Sequence, residues 1–363
     1  MKKIAIVHDF LNQFGGAERV IKVLHEMFPD APIYTLLYDE KEMAGEFKNA
    51  KIITSKLQKK PKFIRKRHKL LLPFFPVAIE QFDFSKYDIV ISSSAAWSKG
   101  IITKPETKHI CYCNAPMRFA WDWTHEYLKE QKMGLLKKII AYPLLNYLRV
   151  WDRLSAKRVD LWLANSKHTQ KRLQKYYRVD SKIVYPPVNV KNFEVQKDNA
   201  GYFLVVSRLS PYKKTDLAVE AFNKLGMHLV IIGEGQQKKE LEKIAEENVE
   251  FLGFKPDKVV REYFKNCRGF IFPGEEDFGI TPVEAMACGK PVVAFRKGGC
   301  LETVIEGKTG EFFDQETPES LITAVRKMVK NEKQYDPDKI RRNAERFSKK
   351  KFQEEILKIV NKT

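Results

Sequence analysis

The chain has 363 residues, 44% of them apolar, which suits two ordinary domains with substantial cores and excludes wholesale disorder. Lys and Arg number 65 against 46 Asp and Glu, a formal net charge of +19, and the excess is uneven: residues 1–189 hold 34 basic against 18 acidic side chains, residues 190–363 hold 31 against 28. One half is therefore built to meet something anionic, while five cysteines with neither zinc-ligand spacing nor a disulfide framework suit a reducing cytoplasm.

Met-Lys-Lys leads straight into Ile4-Ala5-Ile6-Val7, too short an apolar run for a signal-peptide core and the right length for a first buried strand. Strands follow at 32–37, 88–93, 109–113, 160–164 and 182–185, with helices between them, notably 16–28, 135–158 and 166–178. Cys111-Tyr-Cys113 lies in one of these apolar runs and reads as buried strand cysteines. Lys137, Lys138, Asn146 and Arg149 interrupt the longest apolar stretch, Leu135 to Trp151, so it cannot supply the ~20 apolar residues of a membrane span. The protein is expected to be soluble or peripheral.

Pro186-Pro187-Val188-Asn189 and the polar stretch to Gly201 read as a hinge, after which the pattern restarts. Strands are expected at 202–206, 228–232, 249–252, 269–272 and 291–294, with helices near 214–225, 236–247, 256–266 and 281–288. Two or three helices follow Pro318, the last about 347–361. Such alternation predicts an α/β protein of two doubly wound parallel sheets, 1–188 and 189–346. Ligands of such sheets sit at the carboxyl ends of the strands, here in an expected cleft between the domains.

The sharpest motif follows the strand at 269–272: Gly274-Glu-Glu-Asp-Phe-Gly-Ile-Thr-Pro-Val-Glu284 opens a helix and sets Glu276 and Glu284 seven residues apart. A glycine at that turn admits close backbone approach, and the helix start favours a diphosphate. Glu284 can accept both hydroxyls of a ribose, and Glu276 can reach a sugar. Ser207-Arg208-Leu-Ser-Pro-Tyr-Lys213-Lys214, after the strand at 202–206, places an Arg and a Lys where both phosphates of a leaving diphosphate can be gripped.

Phe14-Gly15-Gly16-Ala17-Glu18-Arg19 resembles a phosphate turn but lacks the full dinucleotide fingerprint, which speaks against a dehydrogenase. Gly233-Glu-Gly235 is another turn able to pass close to a base or ribose. Asp336-Pro-Asp338 starts a helix far from any strand end and reads as a cap, so no metal and no cofactor are expected. From Lys51 to Leu72 there are nine Lys and Arg and no acid, interleaved with Leu, Phe and Ile. That composition suits an anionic bilayer surface, with Arg65, Lys66 and Arg67 at its centre. No nucleic-acid-binding signature accompanies the charge.

Over nearly its whole length the chain resembles glycosyltransferase family 4 enzymes of the GT-B fold. The resemblance rests on Val206-Ser-Arg-Leu-Ser-Pro-Tyr-Lys-Lys, Ile232-Gly-Glu-Gly, Phe251-Leu-Gly-Phe and the Glu276–Glu284 segment. Val7-His-Asp-Phe-Leu, Gly15-Gly-Ala-Glu-Arg and Cys113-Asn-Ala-Pro-Met-Arg-Phe-Ala-Trp-Asp122 are similar to bacterial mannosyltransferases of O-antigen and exopolysaccharide assembly. The resemblance implies a C-terminal helix crossing back to the first domain, making it 1–188 plus about 347–363. It implies a nucleotide-sugar donor, GDP-mannose with UDP-sugars as the alternative, and a glycan or lipid-linked acceptor at the inner face of the cell membrane.

Retention of anomeric configuration without metal is also implied, with Glu276, Arg208 and Lys213 as catalytic residues. Gly16, Phe278, Gly279, Ile280, Thr281 and Glu284 would complete the donor site. Asn114, Gly15 and Asp9 would contact sugar or acceptor, and Asn114 stands where many members carry His. Outside this class, a non-catalytic basic protein binding lipid or nucleic acid is the alternative.

Overall fold

The computed structural model describes residues 2–43, 45–130 and 135–363. The chain forms two compact units, Met1–Pro187 with Phe352–Thr363, and Val188–Lys351.

Unit 1 holds a seven-stranded parallel sheet made of β1 (Ile4–Leu11), β2 (Ile33–Tyr38), β3 (Ile52–Thr54), β4 (Ile89–Ser94), β5 (Lys108–Cys113), β6 (Leu161–Ala164) and β7 (Lys182–Ile183). Their order across the sheet is β3-β2-β1-β4-β5-β6-β7. Alternate residues feed two different layers: Ile6, Ile89 and Ile91 pack on one face, Ala5, Val7 and Val90 on the other. Burial on both faces is why these strands read as unbroken apolar runs rather than alternating ones. Phe352, Ile356, Ile359 and Val360, on the helix Lys349–Lys362, join the first layer at helical spacing, and Phe352 lies edge-on to Tyr112 with ring centroids 5.6 Å apart. The last helix thus completes the core of unit 1.

Unit 2 repeats the plan with β8 (Phe203–Val206), β9 (Leu229–Ile232), β10 (Val249–Gly253), β11 (Gly269–Phe272), β12 (Val292–Phe295) and β13 (Gly310–Phe313). The order is β10-β9-β8-β11-β12-β13, again parallel throughout. In each sheet the connections diverge at one point, between β1 and β4 and between β8 and β11. Loops at the carboxyl end of such a switch point leave an open crevice where ligands bind.

The short strands β3 and β13 lay outside the sequence-based assignment. Asp336 caps the helix Pro337–Ala344, its carboxylate accepting from the N–H of Asp338 at 2.9 Å and of Lys339 at 3.3 Å. All five cysteines are free and buried, and burial pushes the Cys111 thiol up to about 12. Among the described residues, no helix is long and apolar enough to cross a membrane.

Candidate functional site

In unit 2 the loops after β8 and β11, the two strands flanking the switch point, are locked together. A Cβ at Gly274 would lie 2.7 Å from the Tyr212 carbonyl oxygen and 2.9 Å from that of Lys213, so only glycine lets the two loops approach this closely. That contact sets the half-buried Lys213 beside Glu276, and the ammonium pairs with Glu276 Oε1. Burial pulls the Lys213 pKa down, but the charge and bond of the Glu276 carboxylate together with Tyr212 outweigh it and the net shift is upward. Lys213 therefore stays a cation, and the exposed Arg208 is near enough for its charge to act on it.

The turn at Gly233–Gly235 supports this arrangement from below. Leu209 N–H donates to the Glu234 carbonyl at 3.0 Å, and the Leu209 carbonyl accepts from Gln237 N–H at 3.2 Å. The glycine turn read as a possible base or ribose contact thus props the backbone beside Arg208. Glu276 is held by a further loop that sequence reasoning passed over. Gly299 N–H donates to the Glu276 carbonyl at 2.9 Å, and a Cβ at Gly298 would sit 2.2 Å from that same oxygen. The adjacent glycine pair just after β12 was the available signal.

The helix Ile280–Ala287 starts at Gly279, whose φ of +85° suits glycine, and carries Thr281 and the buried Glu284. The Phe278 ring is buried, meeting Phe347 edge-on at 5.4 Å, so its backbone alone is left to face a ligand. Lys213, Glu276, Gly279 and Glu284 thus stand on two adjoining loops and a helix start at the carboxyl end of the sheet's central strands, with Arg208 on the same loop as Lys213. Two cations beside a helix N-terminus suit an anionic ligand such as a diphosphate. Among the described residues no group of three or more His, Cys, Asp or Glu side chains is placed to hold a metal ion.

A second polar cluster lies at the carboxyl ends of β1, β4 and β5 in unit 1. Asp9, expected to meet sugar or acceptor, spends both carboxylate oxygens on the backbone. They accept from the N–H groups of Ala95 (2.8 Å), Ala96 (2.8 Å), Trp97 (3.0 Å) and Ser98 (2.6 Å). Asn114 donates from Nδ2 to Ser93 Oγ at 2.8 Å, and its carbonyl accepts from Asn165 Nδ2 at 2.8 Å. Gly15 caps the helix Gly16–Met27, and its N–H donates to Glu18 Oε2 at 2.8 Å. His8 lies between, buried, with Nδ1 2.9 Å from the Ser93 carbonyl and Nε2 3.4 Å from Glu18 Oε1. Neither His8 nor Glu18 was singled out from the sequence, because only the fold brings them together.

Arg65 is half-buried on the short helix Lys62–Lys66, Arg67 beyond it is exposed, and the side chain of Lys66 lies outside the described residues.

Two family models match consecutive parts of the chain: Glycosyltransferase Family 4 over residues 14–192, and Glycosyl transferases group 1 over residues 189–350. The alpha-1,3/1,6-mannosyltransferase ALG2 of Dictyostelium discoideum is 26% identical over 99% of this chain and 98% of its own. A GDP-mannose-dependent alpha-(1-6)-phosphatidylinositol monomannoside mannosyltransferase of Mycolicibacterium smegmatis is 33% identical, the match spanning 33% of this chain and 36% of that one. Anabaena Alr3699/HepE, solved in complex with UDP-glucose, superposes with a TM-score of 0.73 over 100% of both chains at 18% identity, a likeness of fold.

Proposed function

The chain belongs to glycosyltransferase family 4, with the GT-B architecture of two Rossmann-like units, and from that premise we propose a retaining, metal-independent transferase that moves mannose from GDP-mannose to a glycan or lipid-linked acceptor in cell-surface polysaccharide synthesis. The observation that carries the reading is the Lys213–Glu276 pair beside Arg208 at the switch point of unit 2. Lys213 and Arg208 take the donor diphosphate, the helix start at Gly279 adds its dipole, and Glu284 holds the ribose. Glu276 with the backbone of Phe278 to Thr281 faces the sugar, while Gly16 and Asn114 of unit 1 serve the diphosphate and the sugar.

In the transfer step the bond from the anomeric carbon to the phosphate oxygen breaks as the acceptor oxygen bonds to the same face. The acceptor proton passes to the departing phosphate, and GDP leaves. Cations at the diphosphate stabilise the charge that develops there, the part that a divalent metal plays in other transferases. The mannosyltransferase relatives favour the mannose donor. The fold shared with a UDP-glucose complex keeps UDP-sugars as the second reading.

A thermal-shift series over nucleotide sugars tests the donor, since a ligand bound to the native state raises the melting temperature. GDP-mannose should stabilise the protein, and stabilisation by UDP-sugars alone overturns that choice. GDP release with acceptor should continue in EDTA, and strict dependence on Mn²⁺ or Mg²⁺ sinks the metal-free mechanism.

Two segments of unit 1 support docking on an anionic membrane. Leu71, Phe75 and Ile79 from one, and Leu148 from the helix Leu135–Ser155, turn inward to the same core layer. Their other faces leave Phe63 at 65%, Leu70 at 63% and Phe74 at 57% exposed within or beside the acid-free basic run Lys51–Leu72, and Ile140 at 73% exposed on the helix. Each cation near anionic lipid adds about 1 kcal/mol, screened by salt, and the apolar tips can enter the headgroup region. Flotation should require anionic vesicles and fall when Arg65, Lys66 and Arg67 become Ser. Equal association with neutral vesicles, or none with either, leaves the basic run as a solvated face.

A further inference from the structure

Four polar residues, linked through the backbone as well as the side chain of Ser93, form a path through unit 1. Asn114 Nδ2 donates to Ser93 Oγ at 2.8 Å, and the Ser93 carbonyl accepts from His8 Nδ1 at 2.9 Å. His8 Nε2 lies 3.4 Å from Glu18 Oε1, and Glu18 Oε2 accepts the Gly15 N–H at 2.8 Å. The path joins the end of β5 to the turn that opens the helix Gly16–Met27. His8 and Glu18 are 2% and 6% exposed, so their charges are held away from water.

The chemistry of the contacts fixes the protonation they require. A carbonyl only accepts, so Nδ1 carries a proton. Glu18 accepts the Gly15 N–H on its second oxygen, which leaves Oε1 to face the ring. Attraction between Nε2 and that carboxylate requires a second proton on the ring, making His8 a cation. Burial opposes the charge, but the bond and charge of Glu18, the charge of Asp9 and the Ser93 carbonyl outweigh it, and the His8 pKa is raised above 6.5. The strand neighbours at the level of His8, Thr35 on β2 and Ser93 on β4, are neutral. Glu18 on the helix and Asp9 on the same strand are the ionisable groups acting on it.

We propose that His8 and Glu18 are positioning residues, an ion pair that fixes the Gly15–Gly16 turn and sets a buried positive charge behind it, so that donor affinity depends on the protonation of His8. Glu18 reads the charge of His8 on one oxygen and orients the turn with the other. When His8 becomes neutral, Glu18 loses its counter-ion and the turn loses its anchor. The inference rests on the proposed function in one respect, that Gly16 meets the donor diphosphate.

The sign of the pH effect follows from the raised pKa. The pair is intact below the native pKa of His8, and its contribution is lost as pH climbs through that value. In full-length protein, donor KM and kcat measured from pH 6 to 9 should show KM rising above that pKa, toward about tenfold per unit, with kcat changing far less. His8→Gln should show a high KM at every pH with no slope. Glu18→Gln, which keeps an acceptor for the Gly15 N–H but no charge, should fall between the two, and melting curves verify that each variant is folded.

A wild-type pH profile in folded His8→Gln or Glu18→Gln overturns the inference. So does a lowered melting temperature with an unchanged KM, since that is the mark of a tie that only holds the fold. A wild-type protein that neither binds nor turns over any nucleotide sugar overturns the transferase reading, and this inference falls with it.

Discussion

Replacing Lys213 by Met is expected to cut turnover by about 10²–10³-fold while leaving the melting temperature close to that of the wild type. The two effects separate because the ammonium serves the ligand more than the fold. Its partner Glu276 keeps 23% of its side-chain exposure, so water can solvate the carboxylate once the lysine is gone. Met retains much of the hydrocarbon stem beside the Tyr212 ring, whose centroid lies 5.0 Å from Nζ. What Met cannot do is stabilise a leaving diphosphate. Arg208→Ala, on an exposed side chain, should likewise depress transfer without unfolding the protein.

Glu276→Gln completes the comparison. Because Lys213 and Glu276 touch, their substitutions should not add, and the double variant should lose less than the product of the single losses. Steady-state rates with saturating donor and acceptor, measured beside melting curves, provide the check. A Lys213→Met enzyme within threefold of wild-type turnover removes this site from the mechanism. A protein that merely binds an anionic surface through its basic first half would be indifferent to all three changes.

The parallel sheets were legible because strands buried on both faces are written as plain apolar runs, as Ile4-Ala-Ile-Val and Phe203-Leu-Val-Val are here. β3 escaped notice because its three half-buried residues, Ile52-Ile-Thr, sit inside a stretch dominated by lysine. β13 escaped because Glu311, a charged residue, interrupts the apolar pattern of a buried strand. The Tyr335 hydroxyl donates to it at 2.7 Å and Lys327 Nζ pairs with it at 2.6 Å, partners 24 and 16 residues away along the chain.

The candidate site shows the same division. Residues whose chemistry depends on local spacing, such as Glu276, Glu284, Arg208 and Lys213, could be proposed from the sequence. Residues whose partners come from other strands could not. Spacing alone did not show that the turn after β4 delivers four N–H groups to the Asp9 carboxylate, and His8 becomes intelligible only with Ser93 and Glu18 around it.

The largest loss of stability is expected from Lys99→Met. Lys99 is 2% exposed and Asp152 0%, and their side chains form an ion pair in the interior of unit 1. Lys99 Nζ also donates to the Ala96 carbonyl and lies 5.3 Å from the Trp151 ring centroid and 5.6 Å from that of Tyr177. Asp152 Oδ2 accepts from Trp121 Nε1 at 2.7 Å. The pair therefore joins the turn after β4, whose amides also hold Asp9, to the helix Leu135–Ser155 and to the loop after β5.

Met fills most of the volume of Lys99, so the cost is electrostatic: a carboxylate stranded without a counter-ion or water. Breaking a buried pair from one side costs about 3–5 kcal/mol. For a unit of this size that is a drop of roughly 6–20 °C in melting temperature. Asp152→Asn added to Lys99→Met should recover much of the loss, because the amide oxygen can still accept the Trp121 N–H and no charge is left stranded. Urea denaturation of wild type, both single variants and the double variant forms the cycle. A Lys99→Met protein within about 1 kcal/mol of wild type, or a double variant no more stable than Lys99→Met alone, rules out the stranded carboxylate as the source of instability.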